Sequence, residues 1–315
     1  RLRDLADRRN SVIITDENVF RLHQLRFKGW NTIALKPGEA YKVQATVDNV
    51  IEQLLEIGAD RSWTLIGAGG GVVTDIAGYV ASVYLRGIRV GLVPTTLLAM
   101  VDAAIGGKNG VNHGGLKNMV GTIRQPGFIL FDHSFLKTLP DEQWRNGFAE
   151  IIKHAAVLNA AMFRKLEQYD TTFYRKHPKD LAQLVSLNVL LKMKVVMADE
   201  KEAGMRRLLN FGHTLGHALE AQYELAHGEA ISIGMAFAAS ASNRVNGFSQ
   251  ETRLISLLLQ YGLPVHAEFE HERIVEAMLR DKKKTKDQVH LVLLEKIGRG
   301  VVSPVAIKEL QSFFT

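Results

Sequence analysis

The chain has 315 residues, 46% hydrophobic and 23% charged, which is enough to bury a sizeable core and to form two domains. It has no cysteine for a disulfide framework, no apolar run of about 18 residues and no secretory-type leader, so we expect a soluble cytoplasmic protein without membrane contact. The net charge is +6, but no basic stripe interleaved with aromatic residues indicates nucleic-acid binding. The basic residues lie instead among glycine-rich and histidine-rich motifs, which favours an acidic small molecule.

Short apolar runs alternate with helical patterns up to about residue 139. Strands buried on both faces of a parallel sheet have this character, and the helices between them form the crossovers. The predicted strands are Val12–Thr15, Thr32–Leu35, Trp63–Ile66, Val90–Pro94 and Phe128–Phe131. With the helical pattern of Tyr41–Ile57, they predict an α/β domain over residues 1–139.

A glycine run, Gly67-Ala-Gly-Gly-Gly71, follows the third predicted strand and precedes a helical pattern that starts near Thr74. Backbone N–H groups and the helix dipole make such a turn an anion site. The usual dinucleotide fingerprint is not met, because its third glycine falls on Val72 and no acidic residue lies about 20 positions further on. We predict a nucleotide or phosphate loop of another kind. The alternative is a tight turn whose glycines need positive φ.

Polar residues cluster after the fourth predicted strand. Thr95 and Thr96 follow it directly, at the carboxyl end where ligands collect in open α/β sheets. Asp102, Lys108 and Lys117 lie in the glycine-rich stretch that comes next. The lysines could bind phosphate or carboxylate as point charges, and the alternative is an ordinary surface loop.

Long segments with helical periodicity and few glycines dominate from residue 141 onward. The predicted helices are Gln143–Asn159, Leu181–Met197, Ala230–Asn246 and Glu251–Tyr261. Val289–Leu294 and Val301–Val305 have strand character but no assigned place in the fold. This pattern predicts a mostly helical second domain over residues 140–315.

The first of these helices carries Glu150 and Lys153, three residues apart. Such a pair is normally an exposed ion pair. Its immediate neighbours here are apolar, so the helix is expected to be buried and its charges to be costly unless they are used.

Histidines are concentrated between residues 206 and 229. His213 and His217 lie four apart and share a helix face, and His227 follows in a His-Gly-Glu sequence that ends at Glu229. Two or three converging imidazoles favour zinc, which in catalytic sites takes three protein ligands. The spacing does not choose between His213 and His217 as ligands, and a packing or capping role is the alternative.

Seven motifs together resemble the 3-dehydroquinate synthase family, in order and spacing, from about Val12 to Ile297. They are Gly69-Gly-Gly-Val-Val-Thr-Asp75, Tyr84-Leu-Arg-Gly87, Val93-Pro-Thr-Thr-Leu-Leu-Ala99, Val101-Asp-Ala-Ala-Ile-Gly-Gly-Lys108, Ala149-Glu-Ile-Ile-Lys153, Leu208-Leu-Asn-Phe-Gly-His-Thr-Leu-Gly-His217 and His227-Gly-Glu229. The resemblance implies a dehydroquinate synthase-like α/β fold, with an N-terminal Rossmann-like parallel-sheet domain that binds NAD and a C-terminal α-helical domain that binds metal and substrate.

The resemblance also implies the residues of each site. The zinc ligands would be Glu150, His213 and His227, with Co²⁺ as a possible alternative metal and His217 as an acid/base residue. NAD would contact Asp16, Asn18, Glu39, Lys42, Gly70, Gly71, Asp75, Thr95, Thr96, Asp102, Lys108, Lys117, Asn118, Thr138 and Leu139. The substrate set would be Asp102, Lys108, Lys117, Asn118, Lys153, Lys192, Glu202, Arg206, Asn210 and Lys283, preferred over Lys282, together with Arg86 from a neighbouring subunit, which implies a homodimer.

The implied reaction converts 3-deoxy-D-arabino-heptulosonate 7-phosphate to 3-dehydroquinate and phosphate. It combines transient oxidation by NAD, phosphate elimination, re-reduction and aldol cyclisation, and a substrate with a carboxylate and a phosphate fits the many lysines and arginines. Two alternatives come from the same fold: another sugar-phosphate cyclase, or a metal-dependent polyol dehydrogenase that would accumulate NADH. A silent binding module would be expected to lack the ligand and lysine residues that this chain retains.

Three positions depart from the family pattern. Thr74 replaces a frequent glycine, Asn112-His-Gly-Gly-Leu-Lys-Asn118 replaces Asn-His-Pro-Leu-Gly-Lys-Asn, and Arg124 stands where an aromatic residue often precedes Gln-Pro. We expect Thr74 to crowd the glycine turn slightly. None of the three removes a proposed ligand or acid/base residue.

Overall fold

The computed structural model describes residues 1–223, 225–280 and 288–314. The chain forms two compact units, Arg1–Pro140 and Asp141–Thr315. Lys282 and Lys283 lie outside the described residues, so the choice between them stays a prediction.

Unit 1 is built on a five-stranded parallel sheet with the strand order β2-β1-β3-β4-β7. Its strands are β1 Ser11–Asp16, β2 Asn31–Leu35, β3 Thr64–Gly69, β4 Arg89–Pro94 and β7 Phe128–Ile129, and its helices are α1 Glu17–Leu22, α2 Gln24–Phe27, α3 Gln44–Glu56 and α4 Gly71–Val83. These are the five strands that the apolar runs predicted, so the predicted parallel α/β fold is confirmed.

Alternate residues of the central strands pack into two different cores. Val12 and Ile14 of β1 belong to a cluster that includes Val50 of α3 and Val80 of α4. Ile13 belongs to a second cluster on the other face, with Phe27, Trp30 and Phe135 among its members. Because side chains alternate across a strand, a run of consecutive apolar residues is what a sheet covered on both faces requires.

The chain passes from β1 to β2 on one side of the sheet and then crosses back to β3 and β4 on the other, so the order reverses between β1 and β3. Ligands of open α/β folds bind at the carboxyl ends of the strands where such a reversal occurs. Asp16, Gly70 and Thr95 stand at or just after the ends of β1, β3 and β4, so the order of the sheet brings these positions to the same edge.

The segment expected to be a lysine-bearing loop contains an antiparallel hairpin, formed by β5 Lys108–His113 and β6 Leu116–Ile123. Its turn residues Gly114 and Gly115 have φ of 58° and 78°. Two consecutive positive φ values define the type I′ turns that suit the twist of a hairpin, and glycine adopts them without strain. The altered Asn112–Asn118 motif is therefore a tight hairpin turn.

Unit 2 is mostly helical, as the sequence predicted. Its helices are α5 Asp141–Leu158, α6 Ala160–Gln168, α7 Thr171–Lys176, α8 Pro178–Ala198, α9 His213–Tyr223, α10 His227–Asn246, α11 Glu251–Gln260, α12 His271–Arg280 and α13 Ile307–Ser312. The two strand-like segments near its end form an antiparallel hairpin, β8 Gln288–Lys296 and β9 Arg299–Ala306. The central helices α9 and α10 pack against each other, and α10 also packs on α5.

Among the described residues, helix α8 is long and apolar enough to cross a membrane, by length and composition only. A buried core helix can have the same length and composition. Two polar residues of α8, Asn188 and Lys192, are buried, and Asn188 Oδ1 lies 3.2 Å from Nδ1 of His154 on α5. These contacts identify α8 as a packed helix of unit 2.

Candidate metal centre and nucleotide loop

Three side chains of unit 2 converge on one point, Glu150 from α5, His213 from the start of α9 and His227 from the start of α10. Each offers one donor atom, and these atoms lie within 4.8 Å of one another. Nε2 of His227 is 3.1 Å and Nε2 of His213 is 3.6 Å from the same carboxylate oxygen, Oε1 of Glu150. Two imidazoles and a carboxylate are a donor set found in catalytic zinc sites.

Glycines beside the two histidines allow the helix ends to approach closely. Gly212 has a φ of 78°, and a Cβ there would lie 2.8 Å from the Ile231 carbonyl oxygen. Gly228 donates its N–H to Oδ1 of Asn146 at 2.8 Å, and a Cβ there would lie 2.6 Å from the Asn146 Cα. The Phe-Gly-His and His-Gly-Glu sequences therefore set where α9 and α10 begin, and α10 is tied to α5 one turn before Glu150.

The second oxygen of Glu150, Oε2, forms a buried ion pair with the ammonium of Lys153, and His154 Nε2 lies 3.9 Å from it. Glu150 has no exposed surface and Lys153 is 1% exposed. Removing two charges from water is expensive unless they are paired. The predicted pair is thus buried, and it leaves Oε1 directed at the histidines.

The outer nitrogens of the two histidines have different partners. Nδ1 of His213 lies 3.2 Å from the carbonyl oxygen of Phe211, whereas Nδ1 of His227 lies 3.3 Å from Oε1 of Glu220. The sequence analysis missed Glu220. A signal was available, since Glu220 follows His213 by seven residues and so lies on the same face of α9 two turns later.

The pKa values of the two histidines are shifted in opposite directions. Burial lowers the pKa of His213 well below its usual range, and the nearby Lys153 ammonium lowers it further. Burial also lowers the pKa of His227, but hydrogen bonds to Glu150 and Glu220 outweigh it and raise the pKa to about 10. Without a metal, these surroundings favour the charged imidazolium form of His227 and the neutral imidazole form of His213.

The spacing of the histidines left His213 and His217 equally placed as ligands. The convergent group contains His213, and the His217 ring packs edge-on against it with ring centroids 5.0 Å apart. His217 thus lies next to the group of converging donors without belonging to it.

Other predicted substrate residues of unit 2 lie on and after α8. Lys192 and Arg206 are buried, and Oε1 of Glu202 accepts a hydrogen bond from Nδ2 of Asn210 at 2.5 Å. The loop between them is organised by Asp199, a residue that sequence reasoning missed. Its carboxylate accepts backbone N–H bonds from Ala203, Gly204 and Arg206 at 2.7–3.0 Å, and these bonds lower its pKa.

The glycine run of unit 1 leads from β3 into α4, as predicted. None of its glycines has a positive φ, so the alternative of a strained turn is wrong. The glycines are needed for packing instead: a Cβ on Gly69 would lie 2.5 Å from Cβ of Val73, and one on Gly70 would lie 3.1 Å from Cγ2 of Thr96. Thr74 is buried and its hydroxyl donates to the Gly71 carbonyl at 3.0 Å, and the slight crowding expected there stays a prediction.

Four predicted cofactor residues meet around a buried lysine. Nζ of Lys42 lies 2.5 Å from Oδ2 of Asp75 and donates to Oδ1 of Asn118 at 2.6 Å. The fourth residue, Glu39, is linked to them through Asn112, which sequence reasoning did not select. Asn112 donates to Oε1 of Glu39 at 2.9 Å, and its Oδ1 accepts the Asn118 N–H at 2.9 Å. This network fixes the base of the hairpin against α4.

The remaining cofactor positions lie at strand ends. Asp16 caps α1 by accepting the Val19 N–H at 3.0 Å, and burial raises its pKa. The Thr95 hydroxyl is buried without a hydrogen-bond partner among the described residues. The Thr96 hydroxyl accepts the Ala99 N–H and so caps the next turn, and the Thr138 hydroxyl lies 2.9 Å from Nε2 of His23. Asn18 lies in α1, and Leu139 directly follows the short helix His133–Thr138.

Three further predicted residues lie along the segment that follows β4. Asp102 is in a π-helical turn, Ala99–Ala103, while Lys108 and Lys117 are exposed on the hairpin.

Arg86 lies in a strained loop. Leu85, Arg86 and Gly87 have φ of 48°, 64° and 121°. Arg124 holds this loop by donating from Nη2 to the Ile88 carbonyl at 2.7 Å and from Nη1 to the Ala81 carbonyl at 3.3 Å. This contact gives the unexplained charge of Arg124 a structural use.

The parallel α/β unit with its glycine-lined helix N-terminus and the helical unit with its two-histidine, one-carboxylate centre define the class as a nucleotide- and metal-dependent enzyme. The comparisons with known proteins identify the family. Residues 32–146 match the 3-dehydroquinate synthase N-terminal family and residues 147–284 match the 3-dehydroquinate synthase C-terminal family. The chain belongs to the 3-dehydroquinate synthase family.

Curated relatives agree with this assignment. The chain is 37% identical over 310 residues to the 3-dehydroquinate synthase of Dehalococcoides mccartyi strain CBDB1, covering 94% of this chain and 86% of the relative. It is 40% identical over 309 residues to the 3-dehydroquinate synthase of Halorhodospira halophila, covering 95% of this chain and 87% of the relative.

Solved structures extend the comparison to cyclases. The 2-epi-5-epi-valiolone synthase of Streptomyces hygroscopicus, with NAD⁺ and Zn²⁺ bound, has a TM-score of 0.91 at 29% identity and covers 99% of this chain and 91% of its own. A 2-deoxy-scyllo-inosose synthase with carbaglucose-6-phosphate, NAD⁺ and Co²⁺ has a TM-score of 0.85 at 26% identity, covering 99% and 92%. A probable glycerol dehydrogenase from Sinorhizobium meliloti shares only the fold, at 15% identity, a TM-score of 0.66 and coverages of 96% and 88%.

Proposed function

We propose that this chain is an NAD- and zinc-dependent carbon–oxygen lyase of the cytoplasm that converts 3-deoxy-D-arabino-heptulosonate 7-phosphate to 3-dehydroquinate and phosphate. The observation that carries the proposal is the convergence of Glu150, His213 and His227, from three separate helices of a family member, on a common point. A binding module would have no need to bury a carboxylate beside two imidazoles.

The donor set fits a divalent metal. Oε1 of Glu150 faces Nε2 of both histidines, and Lys153 occupies the other oxygen. Glu150, His213 and His227 would hold Zn²⁺, or Co²⁺ in its place, and leave a position for substrate oxygens. A bound zinc would supply Lewis-acid polarisation of those oxygens.

The dinucleotide would lie along the carboxyl edge of the parallel sheet. Gly70 and Gly71 stand at the N-terminus of α4, where backbone N–H groups and the helix dipole favour a diphosphate. Further polar groups along this edge are Asp16 at the end of β1, the Lys42–Asp75–Asn118 network and the Thr95 hydroxyl, which has no hydrogen-bond partner among the described residues. When bound, the cofactor would supply reversible hydride transfer and would be regenerated in each turnover.

The protein's own groups orient the substrate and handle its protons. Lys153 presents a buried ammonium at the centre, and Arg206 is buried in the same unit, so each can pair with substrate carboxylate or phosphate. We assign to His217, whose ring packs against that of His213, the exchange of a proton with a substrate oxygen. The Glu202–Asn210 hydrogen bond fixes the loop that carries Arg206. Asp102, Lys108, Lys192 and Lys283 complete the proposed set.

We also propose a homodimer, in which Arg86 reaches the substrate phosphate of the neighbouring subunit. Strand β6 supports this, because among the described residues it pairs only with β5 and exposes apolar side chains along its length. Leu116, Met119 and Ile123 are at least half exposed. Unpaired apolar edges are usually covered in native proteins, and a second copy of this chain is the proposed cover.

Product analysis tests the proposed reaction. Purified protein with NAD, zinc and the heptulosonate phosphate should give 3-dehydroquinate and phosphate in equal amounts, identified by mass spectrometry and phosphate assay. A polyol dehydrogenase would instead consume NAD⁺ in proportion to an uncharged polyol and release no phosphate. That result would refute the proposed function.

A further inference from the structure

Glu220 is a buried carboxylate that the proposed reaction does not use. It is 8% exposed, on the second turn of α9 after the metal centre, and its Oε1 lies 3.3 Å from Nδ1 of His227. We propose that Glu220 is a positioning residue of the metal centre, which holds His227 in the one tautomer and ring orientation that presents Nε2 to the metal. The zinc in this inference rests on the proposed function.

The hydrogen-bond chemistry selects the tautomer. An ionised carboxylate can only accept, so the atom of His227 that faces Glu220 must carry the proton. That atom is Nδ1. Nε2 faces a second carboxylate oxygen, Oε1 of Glu150 at 3.1 Å, so a metal bound there would displace the Nε2 proton while the Nδ1 proton stays in the hydrogen bond to Glu220. The geometry thus directs the metal-binding lone pair of His227 toward the other two donors.

The two histidines are supported unequally. His213 has a neutral backbone acceptor, the Phe211 carbonyl, at 3.2 Å from its Nδ1. His227 has a full negative charge at the equivalent position. A carboxylate behind a ligating imidazole makes it a stronger donor and fixes its orientation. We therefore infer that His227 is the more strongly held of the two imidazole ligands.

The surroundings of Glu220 favour a role over a chance contact. Its neighbours Leu219 and Ala218 are buried in the apolar core of unit 2, together with Leu215 one turn earlier on α9. A carboxylate among such residues costs free energy unless it is hydrogen-bonded. Glu220 also links α9, which begins with His213, to the first residue of α10, so one helix both carries one ligand and orients the other.

Zinc affinity, measured by competition with a chromogenic chelator on the full chain, tests the inference. Glu220→Ala should weaken zinc binding by about 10- to 100-fold, the range for residues that orient metal ligands. Glu220→Gln, which has nearly the same shape and can still accept from Nδ1, should lose less. Glu268→Gln, at an exposed site of unit 2, removes the same charge and should bind zinc as the unsubstituted chain does.

Folding is checked on the same samples by circular dichroism and by the rise in Tm on adding zinc. Folded Glu220→Ala and Glu220→Gln variants that bind zinc with unchanged affinity would overturn the inference. If Glu220→Ala does not fold, the inference is tested by comparing Glu220→Gln with Glu268→Gln. Equal zinc affinities of these two variants would contradict the positioning role of Glu220. No turnover enters this assay, so a failed cyclase assay leaves its result intact.

Discussion

The two oxygens of Glu150 have separate partners. Oε1 faces the histidines, while Oε2 is paired with Lys153 inside the protein. The carboxylate therefore has one oxygen for a metal and one that is already neutralised. On a surface helix, a Glu–Lys pair three residues apart is common. Here both groups are buried, which is costly, and this burial indicates that the pair has a function.

At the residue scale, His213→Ala should abolish zinc binding and turnover. Loss of a residue that only orients a ligand is expected to weaken zinc binding by about 10- to 100-fold. The loss here should be larger, because a directly coordinating atom is removed. His217→Ala is the matched control, since it lies four residues away on the same helix. It should retain zinc and lose turnover. Zinc content of the purified variants checks this, and a zinc-free His217→Ala would contradict the assignment.

Replacement of Lys153 should depend on the metal. In zinc-free protein, Lys153→Met leaves the buried Glu150 charge without its ion-pair partner, which should lower the free energy of unfolding by about 3–5 kcal/mol. Zinc at Oε1 would compensate that charge, so the loss should be smaller in the zinc-loaded protein. Urea unfolding with and without zinc measures both values. Equal losses in the two forms would argue that the metal does not bind to Glu150.

At the scale of elements, the strands and main helices could be predicted because their apolar periodicity is local. The β5–β6 hairpin could not be recognised from its apolar pattern, because β6 is exposed along its length. Its Gly114-Gly115 turn was the available signal. The glycine run was located correctly, but its physical reason came from packing against Val73 and Thr96, contacts that a sequence does not display.

The loop that carries Arg86 offers an element-scale prediction. A Cβ on Gly87 would lie 2.4 Å from Nη1 of Arg124, and Gly87 has a φ of 121°. Gly87→Ala should therefore lower the free energy of unfolding by about 1–3 kcal/mol, chiefly through backbone strain at this positive φ, with a smaller steric part from displacing the Arg124 guanidinium. In an Arg124→Ala background, the steric part should vanish. The two substitutions should couple by about 0.5–3 kcal/mol in a double-mutant cycle from urea unfolding. Additive effects would show that Arg124 does not support this loop.

At the scale of the whole molecule, seven motifs in fixed order were sufficient to predict the fold and the family, which the comparisons confirm. The residues that support the proposed sites were harder to predict. Glu220, Asn112 and Asp199 act through contacts with groups that are distant in sequence or through backbone N–H bonds in a loop. For Glu220 the helical spacing from His213 was an available signal, whereas the partners of Asn112 and Asp199 can be recognised only in the folded chain.

The proposed homodimer gives a prediction about assembly. Met119 is 60% exposed on β6, and Met119→Lys should shift the protein to a monomer because it places a charge on the proposed contact edge. Leu25→Lys is the control, since Leu25 is 88% exposed elsewhere in unit 1. Sedimentation velocity separates the outcomes. A Met119→Lys variant that remains dimeric would place the interface elsewhere.

The proposed reaction is a zinc-dependent cyclisation in which NAD is recycled. It is tested by following phosphate release and NADH absorbance in the same cuvette. The heptulosonate phosphate and NAD are added to the protein as purified, after chelation and after zinc is restored. We expect phosphate release that is lost on chelation and regained with zinc, with no net NADH at any stage. Phosphate release that is indifferent to chelation, or NADH that accumulates with turnover, would contradict it.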